Sequence, residues 1–234
     1  MIRKAAQDDW PAIQAFLAPR AATSMFLSGN LRDHGLNATG SPKATTVWLS
    51  EEDGQITNVF GFAEAGYFVF EAPDLTPAMA PPLRRIMAGK RLIGLNGDLT
   101  QAEAVMAALG LDTADCGAPM DLPHFRLSLE RLEMPSGQGV IRPMEAEDIP
   151  LLKEWRHGYD EEIFGSADLP ESRSRSGTGV TDLVASGRGR ILEAEGRPVA
   201  MTAFNAVLPE IVQVGGVFTP PELRGQGFAR KAVA

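Results

Sequence analysis

The polar and apolar positions follow one pattern twice. In IRKAAQDDWPAIQAF (residues 2–16), a short apolar strand start at Ile2 gives way to the acids Asp8 and Asp9. Trp10, Ile13, Phe16 and Leu17 then recur at helical spacing. Acids at a helix start and a proline, Pro11, in its first turn are N-terminal signals. IRPMEAEDIPLLKEW (141–155) repeats the arrangement, with Ile141, Arg142, Asp148 and Pro150 standing where Ile2, Arg3, Asp9 and Pro11 stand in the first. Its apolar face is Ile149, Leu152 and Trp155. A second pair of segments, SEEDGQITNVFGFA (50–63) and LEAEGRPVAMTAFN (192–205), aligns Glu51 with Glu193, Gly54 with Gly196 and Phe62 with Phe204. Both predict hairpins with an acidic, glycine-containing turn between half-buried strands.

Two collinear matches point to an internal duplication. The first copy continues into a predicted strand at 91–97, a helix at 99–110 and a final strand at 124–132. The expected organisation is a domain over 1–133, a linker over 134–139 (MPSGQG) and a second domain over 140–234. The second copy reads as incomplete at its C-terminus, short by roughly 40 residues if the copies are of similar length.

The segment richest in chemistry is EIVQVGGVFTPPELRGQGFARKAVA (210–234). Glu210 to Phe218 predicts a buried strand, with Gly215-Gly216 marking a bulge or a close backbone approach. Thr219-Pro220-Pro221 ends it, and Arg224-Gly225-Gln226-Gly227-Phe228-Ala229 leads into helix formers. A strand, a glycine turn and a helix start make an anion site, because the first helical N–H groups lack partners and the helix dipole is positive there. Glycine removes the Cβ that would hold a phosphate off the backbone, and Arg224 can add a charge-assisted bond. GxxxxGK[ST] is absent, and the GTG at 177–179 has no apolar strand before it.

This turn resembles the acetyl-coenzyme A signature of the GNAT superfamily of N-acetyltransferases: Arg or Gln, two residues, Gly, one residue, then Gly or Ala. Arg224, Gly227 and Ala229 fill it, and the start of each copy resembles the first strand and helix of that fold. The resemblance implies an α/β (α+β) fold of tandem GNAT-like domains, each a twisted, largely antiparallel sheet flanked by helices, with a degenerate first copy. It implies acetyl-CoA as co-substrate, its pyrophosphate on the backbone of Arg224, Gly225, Gln226, Gly227, Phe228 and Ala229, with Arg230 following. The strand at Val217, Phe218 and Thr219 would pair with the pantetheine arm, and the Val217 amide would polarise the thioester. Glu210 is the candidate general base; a solvated strand-end carboxylate is the other reading of it. The family's usual tyrosine acid lies beyond the segment present, and Tyr159 does not match its motif. At the matching point the first copy reads FEAPDLTPAMAPPLRRIMAG (70–89), with prolines in place of glycines and Arg84 and Arg85 as the only compensating charges. The implied activity is acetyl transfer to a primary amine of a small molecule or peptide. A non-catalytic acyl-CoA-binding or interaction protein is the alternative.

Composition narrows the rest. With 44% hydrophobic and 22% charged residues over 234 positions the chain is ordinary globular material. A net charge of −8 argues against nucleic-acid binding, and the chain shows neither a signal peptide nor an apolar run long enough for a membrane, so a cytoplasmic protein is expected. Cys116 alone permits no internal disulfide and reads as a resting thiol. His34, His124 and His157 are far apart, so no metal site is expected; His157 suits a helix C-terminus or faces a cleft. The basic run 173–190 predicts a surface loop or a substrate gate. An open sheet edge in a shortened second domain would favour a homodimer.

Overall fold

The computed structural model describes residues 1–112, 124–165 and 168–234. They form two compact units, Met1–Arg126 with Leu208–Ile211, and Leu127–Val207 with Val212–Ala234. Cys116 lies outside the described residues.

The first unit runs β1 (Ile2–Lys4), α1 (Trp10–Leu17), α2 (Ala21–His34), β2 (Thr45–Glu52), β3 (Gln55–Ala63), β4 (Tyr67–Glu71), α3 (Ala80–Met87), β5 (Gly94–Asn96) and α4 (Leu99–Leu109). Its sheet has the order β1-β2-β3-β4-β5, antiparallel except for the parallel β4–β5 pair. Alternation along the strands sends successive residues to opposite faces. Val47, Leu49 and Val59 pack with Ile13, Leu17, Leu27 and Leu31 of α1 and α2. Trp48, Phe60, Phe68 and Phe70 pack with Leu83 of α3 and Val105 of α4. Phe60 and Phe68 stack with ring centroids 6.0 Å apart. Asp98 caps α4, accepting hydrogen bonds from the Thr100 and Gln101 amides.

The second unit runs β6 (Val140–Pro143), α5 (Ile149–Phe164), α6 (Pro170–Ser186), β7 (Gly189–Ala194), β8 (Arg197–Val207), β9 (Val212–Phe218) and α7 (Phe228–Val233). Its sheet order is β6-β7-β8-β9, antiparallel throughout. Leu152, Trp155, Val180, Ile191, Met201 and Phe218 make a core beneath α5 and α6. Leu192, Val199 and Ala200 pack with Ala232 of α7 on the other face.

Small details recur in both units. Arg3 donates to both Asp9 oxygens at 2.6 and 2.8 Å, and Arg142 does the same to Asp148 at the same distances. Glu51 and Glu193 complete the two clusters, each 2.9 Å from its arginine. The Arg3 guanidinium and the Ala6 amide hold the Asp9 carboxyl down to about 2, and Arg142 likewise lowers that of Asp148. Both hairpin turns have two positive φ angles, Asp53 (50°) with Gly54 (76°) and Glu195 (52°) with Gly196 (73°). That is the turn whose twist matches paired strands. Both hairpins also shift register beside the acid, at Ser50/Glu51 and Leu192/Glu193.

Four expectations fail. His157 does not end its helix: it lies buried midway along α5, which continues to Phe164. The run 173–190 is not a loop: α6 covers Pro170–Ser186, with Pro170 in its first turn and Gly187 closing it at φ 65°. Burial of Ser176 and Val180 against the unit's core, and the Ser176 hydroxyl on Asp160 at 2.6 Å, outweigh the low helix propensity of Gly177 and Gly179. Segment 124–132 is not a strand. Only a 3-10 turn forms there, at Leu129–Arg131, with Phe125, Leu127 and Leu129 exposed. Finally, β9 starts at Val212, so Glu210 lies in the β8–β9 turn rather than on the strand. Among the described residues no helix is long and apolar enough to cross a membrane.

Candidate functional site

Among the described residues, β9 is the last strand of its sheet and pairs with β8 alone. Met201 faces Phe218 and Ala203 faces Gly215, so Gly216 and Val217 together oppose Thr202. Two residues against one is a β-bulge, and Gly216 meets its requirement with φ +60°. The bulge bends β9 just before Phe218 and Thr219.

The turn beyond is open to solvent, with Arg224, Gly225, Gln226 and Gly227 all exposed. Gly225 and Gly227 both have φ +79°, a conformation that costs an L-residue roughly 1–2 kcal/mol. Gly227 is the residue before α7 and brings no side chain to cap it. The first helical hydrogen bond is from the Lys231 amide to the Gly227 carbonyl, at 3.1 Å. The amides of Phe228, Ala229 and Arg230 therefore precede the helical ladder and face outward at its positive end. At the foot of the turn, Thr219 is buried and its Oγ1 has no partner among the described residues. A strand edge and first-turn amides without partners among the described residues, with an orphaned buried hydroxyl, together fit an extended ligand carrying an anionic group.

The turn is braced from outside. Arg224 Nη2 donates to both oxygens of Glu162 on α5 at 2.7 and 2.9 Å, and its Nε donates to the Thr219 carbonyl at 2.9 Å. Its guanidinium also lies 5.6 Å from the Phe218 ring centroid. The Arg224 side chain is thus engaged in holding the turn, and backbone amides rather than that side chain offer the anion contacts. Glu162, 62 residues away, is not among the site residues expected from the sequence. One signal was present: Glu161 and Glu162 sit in the last turn of α5, where the dipole disfavours acids. Of the expected site residues, Val217, Phe218 and Thr219 at the strand end gather with Arg224, Gly225, Gln226, Gly227, Phe228, Ala229 and Arg230. Glu210, at the opposite end of β9, does not join them.

The first unit answers the same place differently. Val59 lies five residues past Gly54 and Met201 five past Gly196; Val59 pairs with Glu71 as Met201 pairs with Phe218. A buried carboxylate thus replaces the buried aromatic ring. Glu71 accepts hydrogen bonds from Thr23 Oγ1 at 2.7 Å and Gln101 Nε2 at 2.9 Å. Gln101 Oε1 takes the Ala72 amide at 2.6 Å, filling the opening where β4 leaves β5 after Val69. Arg84 Nε donates to the Ala108 carbonyl at 2.7 Å, tying α3 to α4. A cavity of about 370 Å³ remains between these helices, lined mainly by Leu75, Pro77, Ala80, Ala104 and Ala108.

No protein-family model and no curated protein matches the sequence. Among solved structures, the chain is similar to a tandem GNAT protein from the clavulanic acid biosynthesis pathway, at 14% identity and TM-score 0.51, covering 100% of this chain and 83% of that one. It is similar to a GNAT-family acetyltransferase from Colwellia psychrerythraea at 10% identity and TM-score 0.44, covering 100% and 82%. A predicted acetyltransferase from Clostridium acetobutylicum with acetyl-CoA matches at 20% identity and TM-score 0.31, over 41% and 69%. The fold is that of GNAT acetyltransferases, mixed α+β with helices flanking antiparallel and mixed sheets.

Proposed function

We propose that the second unit binds an acyl-CoA, with acetyl-CoA as the simplest member, and transfers its acyl group to a primary amine. The observation that carries this is the exposed turn Arg224–Ala229, with its two left-handed glycines and uncapped helix start, set directly after a bulged edge strand. The pyrophosphate would lie on the amides of Gly225 through Ala229, with Arg230 beside it. The pantetheine arm would run along Val217, Phe218 and Thr219 as an added strand. Arg224 and Glu162 hold the turn in shape for this and contact no reacting atom.

The chemistry needs a neutral amine. At pH 7 an ammonium of pKa ~10.4 costs about 4–5 kcal/mol to deprotonate. The amine nitrogen then attacks the thioester carbonyl carbon, the C–S bond breaks, the nitrogen gives up its proton and the thiolate leaves. An amide aimed at the carbonyl oxygen, that of Val217 in this reading, would stabilise the developing charge; such donors are worth roughly 10²–10³ in rate. Glu210 is retained as the candidate base only if the bound amine reaches the β8–β9 turn. The first unit, with the Ala72 amide already taken by Gln101, is read as a copy that does not bind acyl-CoA.

Steady-state release of CoA from acetyl-CoA, measured with a panel of small-molecule and peptide amines, tests the proposal. Release that depends on the amine is expected. Saturable acetyl-CoA binding with no release for any amine would assign the chain to the non-catalytic binders instead.

A further inference from the structure

His157 sits on α5 with Glu161 one helical turn further on, so both side chains lie on the same face. Asp168 stands just ahead of α6. His157 Nε2, one Glu161 oxygen and one Asp168 oxygen all lie within 4.8 Å of one another. The imidazole is only 3% exposed; its Nε2 is 3.0 Å from Asp168 Oδ1 and 3.5 Å from Glu161 Oε1, while its buried Nδ1 has no partner among the described residues. Nε2 is thus the ring atom turned toward both carboxylates, and three potential ligand atoms of mixed type stand close together beside solvent.

We propose that His157, Glu161 and Asp168 form a site for a divalent transition-metal ion of the zinc type. Ligand atoms 2.0–2.1 Å from such an ion at tetrahedral angles stand roughly 3.3 Å apart, which the 3.0 and 3.5 Å separations bracket. A mixed imidazole and carboxylate set suits zinc, cobalt or nickel better than magnesium. The histidine is buried while Glu161 and Asp168 are largely exposed, which leaves a solvent side for entry and for a fourth ligand. Arg173 supplies the outer support that metal-bound carboxylates commonly have. Its Nε and Nη2 donate to the two Asp168 oxygens at 2.6 and 3.2 Å, and its Nη1 donates to Glu154 at 3.2 Å. Arg173 Nε lies on the same Oδ1 that faces His157, so a metal on Oδ1 takes the place of that bond and leaves Arg173 on Oδ2 and Glu154. The separation of the three histidines along the chain hides this site, because two of its donors are carboxylates. The proposal does not depend on the acyl-transfer reading.

The test is calorimetric titration of the chelator-treated full chain with Zn²⁺, beside Glu161→Gln and Asp168→Asn. Both positions are on the solvent side, and circular dichroism checks that each variant keeps the parent fold. One Zn²⁺ per chain is expected, with affinity reduced tenfold or more in each variant and no binding of Mg²⁺. Co²⁺ should give visible d–d absorption in the parent that both variants lose. Absence of Zn²⁺ binding at millimolar metal would overturn the site and leave the contact of His157 with Asp168 as a plain side-chain hydrogen bond. Equal affinity in the parent and both variants would also overturn it, by placing the metal elsewhere.

Discussion

Acetyl-CoA at 100 times its dissociation constant should raise the unfolding free energy of the chain by about 2.7 kcal/mol, and Gly227→Glu should abolish that rise. Two effects act together in the variant. A glutamate at φ +79° strains the turn, and its carboxylate stands where the pyrophosphate is proposed to lie. Gly227→Asn separates them, because asparagine tolerates the left-handed conformation and brings no charge. It should keep part of the stabilisation by acetyl-CoA, while Gly227→Glu keeps none. Without ligand, Gly227→Glu should lose about 1–2 kcal/mol to the left-handed backbone and Gly227→Asn less, with no added clash, since a Cβ at Gly227 would meet nothing within 4 Å. Thermal and urea unfolding with and without acetyl-CoA read all of these quantities. An undiminished ligand shift in Gly227→Glu would mean that acetyl-CoA binds away from this turn.

Phe60→Ala should destabilise the first unit by about 3–5 kcal/mol, the range for a large aromatic removed from a close-packed core. Phe60 is fully buried, stacked on Phe68, and Phe68 in turn contacts Phe70 at 5.7 Å between centroids. These rings come from two hydrogen-bonded strands whose register pairs Phe60 with Phe70 and Phe62 with Phe68, so the backbone cannot collapse into the cavity. Trp48, in the same cluster, reports the transition by fluorescence. Acyl-CoA binding by whatever variant remains folded should be unchanged, because Phe60 belongs to the unit read as not binding it. A loss below 1 kcal/mol would show that this side of the sheet is not close-packed.

Local patterns reached the structure nearly intact. The two strand-and-helix starts were legible because an arginine, an aspartate and a proline at fixed spacing build the same cluster in each unit. The hairpins were legible from Asp53-Gly54 and Glu195-Gly196, since the turn chemistry alone sets the positive φ angles. The turn at Arg224–Ala229 was legible because glycine spacing records backbone conformation directly. What depended on distant partners was not legible. Gly177 and Gly179 disguise α6, whose stability comes from Val180 in the core and Asp160 on α5. Phe125, Leu127 and Leu129 alternate as a strand would, but alternation cannot supply the neighbouring edge that a strand requires. Glu162, and the meeting of His157 with Asp168, are tertiary relations across 62 and 11 residues that no periodicity encodes.

Hydrogen exchange with and without acetyl-CoA tests the central claim most directly, because it reports which backbone amides a ligand protects. Slowed exchange is expected at Val217–Thr219 and Gly225–Ala229, and unchanged exchange at 72–80 of the first unit. Protection at 72–80, or none at Gly225–Ala229 under saturating ligand, would contradict it.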